Sequence, residues 1–358
     1  MNSIILSVVI PAYQSVQTIE RAVASALSIP SNAIEVVVVN DGSSDGTQFL
    51  LDKLASKDPR LVIVSQHNMG RSAARNTGVE VSSGQWVMFL DSDDYLIESA
   101  LSRMLECCEK SDSPLVIFGM NANGEQRRVE ESNWDPAVSC TMPANHLVET
   151  IIKKYLFDCV KDSCRYEVNS AWSRLYRRDL LVSLTEESKG IFCPFPLNLR
   201  FSEDRLFNIA YLRLLEDQQI EFMPVDLYFW DYESSQTCGT LHNDDACSLI
   251  VFHNIVNQMV EMGSINSDES NYLIAREVIS QFQRLVKLSR SSSSLLVKSY
   301  MDLFGRSDFR RAIRCVPTDS FCCSFLWRIA GRLIGYGFAW PVFVICRYIY
   351  SLKRFFEC

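Results

Sequence analysis

The sequence predicts a doubly wound α/β fold: a mostly parallel sheet flanked by helices, followed by a helical C-terminal extension. Two observations carry that expectation. The first third of the chain alternates short apolar runs with stretches of helical period, and each apolar run ends in polar or turn-forming residues. Continuous runs rich in β-branched residues suit strands buried on both faces of a parallel sheet. Repeated strand–helix units then build a doubly wound sheet, whose ligands bind beyond the carboxyl ends of the strands.

The elements follow in order. Residues 4–10, 35–40, 61–64 and 86–90 are the strands. Between the first two, residues 17–27 place Ile19, Val23, Ala26 and Leu27 on one helical face, and Asp45 is positioned to cap a helix carrying Leu50, Leu51 and Leu54. Residues 124–141 are polar, as an insertion or exposed loop would be; helical patterns return at 144–158, 169–181 and 201–215, and again beyond 248 with a serine-rich break at 289–294. The expected organisation is a catalytic domain over 1–240, with halves at 1–120 and 121–240, and a helical region over 241–358. Its tail, 325–358, mixes aromatic and basic residues. The longest uncharged stretch there, 333–346, has 14 residues, short of the ~20 that span a bilayer. Two readings stand: a helix lying in the membrane interface, or an amphipathic helix packed on the core.

The 358 residues carry a net charge of −8, which argues against a nucleic-acid partner, since that grip needs a clustered basic face. Thirteen cysteines include Cys107-Cys108 and Cys322-Cys323 but no C-x-x-C pair. With an odd count and a leading apolar run too short for a signal peptide, reduced thiols and a cytoplasmic location are expected, peripheral on the cytoplasmic face of the membrane if the tail docks there.

Three strand-end segments have the residue types that chemistry needs. Asp91, Asp93 and Asp94 put three carboxylates in four residues, which repel one another. A hard cation such as Mg²⁺ or Mn²⁺ resolves that conflict through oxygen ligands; a polar turn capping a helix near Ile97 is the other reading, most apt for Asp94. In the stretch 40–47 (NDGSSDGT), Asp41 can accept a hydrogen bond from a planar donor such as a uracil N–H, while Asp45 and Gly46 suit a tight loop and helix cap. In 67–78 (HNMGRSAARNTG), Arg75 and Asn76 can reach a pyrophosphate or nucleoside, a guanidinium fork matching phosphate oxygens. No P-loop and no G-x-G-x-x-G fingerprint occurs.

In this order, SVVIPAY at 7–13, VNDGSSDGT at 39–47, NMG with ARNTG at 68–78, and FLDSDD at 89–94 resemble the family 2 glycosyltransferases, inverting enzymes of the GT-A fold, and in particular those of bacterial surface-polysaccharide (O-antigen or capsule) assembly. The resemblance is dense over 3–120 and looser to about 240. It implies that Pro11 and Tyr13 line a nucleotide pocket, Asp41 reads the uracil of a UDP-sugar, and Arg75 helps hold the nucleotide. Asp91, with Ser92, would face the ribose or donor sugar, and Asp93 would ligate Mn²⁺ or Mg²⁺ on the diphosphate. Glu203-Asp204 resembles the family's acidic pair, with Asp204 as base toward the acceptor hydroxyl. Trp172 would stack on an acceptor sugar, and a lipid-linked oligosaccharide is the acceptor that the apolar tail suggests.

The sequence departs from the pattern at Asp231, where a basic residue is expected after the tyrosine-rich strand. His242 is open between a metal or phosphate contact and an ordinary loop position. A catalytically idle sugar-nucleotide-binding module is the rival reading; the complete set Asp41, Asp91, Asp93, Glu203 and Asp204 argues against it. A nucleotidyltransferase would need a Gly-rich basic loop after the first strand, and residues 11–18 (PAYQSVQT) have neither glycine nor Lys or Arg.

Overall fold

The computed structural model describes residues 4–28, 31–122, 140–153, 168–188, 190–191, 193–231, 244–288, 294–317 and 325–356. The chain forms two compact units: Met1–Val148 with Cys164–Asn198 and Glu203–Ser235, and Glu149–Ser163 with Leu199–Ser202 and Gln236–Cys358.

The first unit begins β1 (Leu6–Ala12), α1 (Ile19–Leu27), β2 (Ile34–Asp41), α2 (Thr47–Ala55), β3 (Leu61–Gln66), α3 (Arg71–Val81), β4 (Trp86–Phe89), β5 (Tyr95–Leu96) and α4 (Glu98–Lys110). It continues with β6 (Leu115–Ala122), β7 (Cys140–Pro143), the start of α5 (Ala144–Lys153), β8 (Arg174–Arg177), α6 (Arg178–Glu187), α7 (Glu203–Leu214) and β9 (Gln219–Trp230). One mixed sheet runs β3-β2-β1-β4-β8-β6-β9-β5, with β7 against β9. The β3-β2-β1-β4 half is wholly parallel, while β8 enters antiparallel to both β4 and β6. The carboxyl ends of β1, β2 and β4 therefore open on one edge.

Val36 to Val39 in β2 are all fully buried, each contributing roughly 1.5–3 kcal/mol by leaving water. Alternation along β1 divides the core. Leu6, Val8 and Ile10 join Val23 and Ala26 of α1, Leu51 of α2 and Met104 of α4. Val9 meets α3 on the opposite face, so closely that a Cβ on Gly78 would lie 2.2 Å from its Cγ1. The strand ends shift by one or two residues from the expected ones, and two differences have a plain physical reason. β1 ends two residues later, because its pairing with β2 continues through Pro11 and Ala12. β3 is half-exposed rather than doubly buried, since it forms the edge of the sheet.

The second unit is helical, with α8 (Asp245–Glu261), α9 (Ser267–Leu288), α10 (Ser294–Phe304), α11 (Ser307–Cys315), α12 (Phe325–Gly335) and α13 (Ala339–Phe356). The 22-residue α9 is its spine, packed by α8, α11 and α13. Among the described residues, no helix is long and apolar enough to cross a membrane. The polar stretch at 124–139, the segment 232–237 and His242 lie outside the described residues.

Candidate active site

The β1–α1 and β2–α2 loops are stitched into one rim. The Gln14 N–H donates to Ser43 Oγ (3.0 Å), and the Ser15 N–H donates to Thr47 Oγ1 (3.0 Å). Asp45 accepts from the Val16 N–H (3.1 Å) and from both the N–H and hydroxyl of Thr47 (3.1 and 2.6 Å); burial, the largest single influence, pushes its pKa up, but these bonds together hold it below the ordinary value. Asp45 is not the N-cap it was expected to be: Gly46 holds that position and no side chain caps α2, while Asp45, one residue earlier, ties Thr47 to the neighbouring loop. Gly46 turns there at φ 97°, in the left-handed region that glycine adopts without strain.

Buried Asp41 holds the next loop. Its Oδ1 accepts from Gln66 Nε2 (2.8 Å) and the Met69 N–H (2.9 Å), and its Oδ2 from the Gly70 N–H (2.8 Å). A carboxylate has about four lone-pair positions, so one remains on Oδ2. Pro11 is buried beneath this rim and Tyr13 is exposed at it.

Arg75 is the centre of the site. α3 carries it fully into the core, 2% exposed, with its guanidinium 5.2 Å above the Phe195 ring. Phe195 is fixed by its neighbour Asn76, whose side chain exchanges two hydrogen bonds with the Phe195 backbone (2.9 and 2.8 Å). Asn76 is therefore committed to this loop, where the sequence suggested a nucleotide contact. Arg75 Nη2 donates to Asp91 Oδ1 and Nη1 to Asp204 Oδ1, both at 2.7 Å. One cation thereby joins the end of β4 to the start of α7. Burial opposes its charge, but the three carboxylates Asp204, Asp91 and Glu203 outweigh that and raise its pKa.

Glu203 and Asp204 open α7; both lie by Arg75 Nη1, at 3.6 and 2.7 Å, but their hydrogen-bond partners differ. Glu203 is buried and accepts from Arg71, through Nε to Oε1 and through Nη2 to Oε2 (3.0 Å). Asp204 also accepts from the Ala171 N–H (3.2 Å). Burial pushes its pKa up to about 6, against the pull of Arg75 and helped by the charge of Glu203. Two cations, Arg71 and Arg75, thus meet three carboxylates, Asp91, Glu203 and Asp204.

The acidic turn is braced from β9. Asp94 is buried; it accepts from Tyr228 Oη (2.5 Å) and the Asp231 N–H (2.8 Å). It does not cap α4, whose first residue is Glu98 and whose preceding Ile97 makes no side-chain cap. Burial and the charge of Asp91 push the Asp94 pKa up to about 8. Tyr228 also accepts from the Asp91 N–H (3.2 Å), and Trp172, mostly buried, stacks on it at 4.4 Å. One face of that indole is therefore already covered. Ser92 Oγ lies 2.8 Å from Ser15 Oγ, tying the turn to the β1 rim. Asp93 is half-buried, and its carbonyl accepts from Arg21 Nη2 at 2.5 Å.

Residues 7–184, about half of the chain, match the family model for glycosyl transferase family 2. This chain belongs to the family 2 glycosyltransferases. EpsJ of Bacillus subtilis, described as an uncharacterized glycosyltransferase, is 27% identical over 232 residues, 63% of this chain and 60% of EpsJ. The succinoglycan biosynthesis protein ExoO of Rhizobium meliloti is 37% identical over 114 residues, 32% of each chain. The matched parts thus span less than two thirds of either relative. The crystal structure of S. aureus TarS 1-349 in complex with UDP-GlcNAc has the same fold, with a TM-score of 0.62 at 17% identity, over 98% of this chain and 92% of that one. The GT-A fold expected from the motifs is present.

In this family 2 glycosyltransferase, several site residues escape sequence reading. Arg71 sits in a quoted motif, but nothing local predicts an ion pair with a residue 132 positions away. Asp231 is not a missing cation. Arg21 of α1 reaches it at 2.8 Å and lies over the Tyr95 ring. Tyr228 had a signal, a tyrosine within the apolar run at the end of β9, since a buried hydroxyl needs partners.

Proposed function

We propose that this protein is an inverting glycosyltransferase that moves a hexose or N-acetylhexosamine from a UDP-sugar to a glycan acceptor carried on a lipid, in assembly of a bacterial surface polysaccharide. The observation that carries the reading is the Arg75 bridge. It sets the donor-side Asp91 and the base Asp204 on one buried guanidinium. Similarity to the succinoglycan biosynthesis protein ExoO and to TarS, which binds UDP-GlcNAc, supports polysaccharide assembly and a UDP-sugar donor.

The chemistry follows from the placement. The acceptor hydroxyl gives its proton to Asp204 as its oxygen attacks the anomeric carbon. The bond from that carbon to the diphosphate oxygen breaks with its electron pair going to departing UDP, and attack from the opposite face inverts the anomeric centre. Asp91 orients the donor sugar or ribose, and Asp41 keeps one lone pair for the uracil N–H while its others hold the loop. Pro11 and Tyr13 wall the nucleotide, and Trp172, stacked on Tyr228, lies toward the acceptor. Arg75 acts through Asp91 and Asp204, and Glu203 holds Arg71 beside them.

A divalent cation fits the donor set in one form. Among the described residues no three acidic, histidine or cysteine side chains cluster into a closed cage. A Mg²⁺ or Mn²⁺ held by Asp93 and completed by diphosphate oxygens needs only one or two carboxylates. Bound so, it supplies positive charge against that developing on the leaving group. UDP and Mn²⁺ together should raise the melting temperature of the parent protein beyond UDP alone, since ligands of the native state stabilise it. Asp93→Ala should lose the increment due to Mn²⁺; an undiminished increment would remove Asp93 from the metal. Nuclear magnetic resonance of the product anomeric proton tests inversion, and a retained configuration would reject it.

A further inference from the structure

The tail folds into two helices, α12 and α13, separated at Gly337, which turns at φ 97°. The Gly337 N–H donates to the Ile334 carbonyl and the Phe338 N–H to the Leu333 carbonyl, both at 2.9 Å. The uncharged run 333–346 is thereby cut and redirected. α13 buries Ala339, Val342 and Phe343. Its other face is apolar too: at 100° per residue, Trp340, Val344 and Tyr348 form one outward line with Ile345 beside it, exposed by 49, 60, 67 and 57%. Tyr336 and Phe338 in the connection are exposed as well. A soluble helix normally turns polar residues outward, so a contiguous apolar outer face marks an interaction surface.

Charge selects the partner. Residues 325–358 hold five basic side chains (Arg328, Arg332, Arg347, Lys353, Arg354) against one acidic, Glu357, a net of +4. The other 324 residues therefore carry −12, because the whole chain carries −8. Arg332 and Arg347 are exposed on the same two helices as the apolar line. A basic, aromatic segment on an acidic protein matches an anionic lipid surface, where rings enter the interface and cations meet headgroups. A second copy of this chain would bring its own −8 to the same encounter.

We propose that the outward face of α12 and α13 is a docking surface for an anionic bilayer, with Trp340, Val344 and Tyr348 entering the interface and Arg332 and Arg347 pairing with headgroups. The inference is independent of which donor the site uses. It is tested with the full chain and vesicles of phosphatidylglycerol and phosphatidylcholine, or phosphatidylcholine alone, by co-sedimentation and tryptophan emission. The parent should bind the anionic vesicles with a blue shift, more weakly at high salt. Trp340→Ser/Val344→Ser/Tyr348→Ser, checked by an unchanged melting curve, should bind roughly tenfold or more weakly and lose most of the shift. Arg332→Glu/Arg347→Glu should lose the preference for anionic over neutral vesicles by roughly tenfold or more, and stands as the test if the triple variant fails to fold. Binding by these variants equal to the parent's would overturn the proposal, as would a parent indifferent to both vesicle types. A parent dimer in sedimentation velocity that the triple variant converts to monomer would assign the face to a second copy instead.

Discussion

Asp204 is poised by opposing forces: burial raises its pKa to about 6 while Arg75 and Arg71 draw it down. As the proposed base, Asp204 must be unprotonated to act, so activity should rise with pH through about 6 and level off above it. Arg71→Gln removes one positive charge that favours the carboxylate, so the acid limb should move to higher pH; a limb left in place would separate Arg71 from the base. Asp204→Asn should reduce kcat roughly 10²–10⁴-fold, the usual worth of general base catalysis, while UDP still raises the melting temperature as in the parent. Equal loss of UDP binding would make Asp204 a donor-site residue instead. Truncating Arg75 is a poorer probe, because stripping a buried ion pair of one partner costs about 3–5 kcal/mol and threatens the fold before the chemistry.

At the scale of elements, the close approach of α3 to β1 sets where Arg75 points. Gly78→Ala should destabilise the protein by about 1–3 kcal/mol, as overpacked cores do, read from urea denaturation at unchanged m-value. Adding Val9→Ala should recover part of that loss, because the two positions share the space; strictly additive costs would contradict the contact. The parallel half of the sheet was legible because burial on both faces leaves a continuous apolar run, and 35–40 became β2 with one residue added at each end. The edge strand β3 misled, since its apolar residues read as doubly buried when only one neighbour strand exists. Asp45 misled by one position: its loop was legible because turn residues are local, but Gly46 is the N-cap of α2 and no side chain caps the helix. Asp94 was not legible, because its partners Tyr228 and Asp231 lie over 130 residues away, and spacing along the chain cannot show which strand returns beside it.

Across the whole molecule, the motifs read from 7 to 94 lie along one edge of the sheet, and the pair at 203–204 is brought back to them by Arg75. That return is the step the sequence could suggest only by resemblance, because it depends on α7 packing against α3 and β4. The helical unit was legible as helices, and its tail stayed open between an interfacial and a core-packed helix because a hydrophobic residue looks the same whether it faces core or solvent; α13 has both an inward and an outward apolar face. The central claim, that this edge transfers a sugar from UDP, is tested most directly by UDP release. Parent and Asp204→Asn proteins are compared with UDP-Gal, UDP-Glc, UDP-GlcNAc and UDP-GalNAc, with Mn²⁺. The parent should turn over at least one of these donors, and Asp204→Asn should not. No release from any of the four, or release as fast in the variant as in the parent, would contradict it.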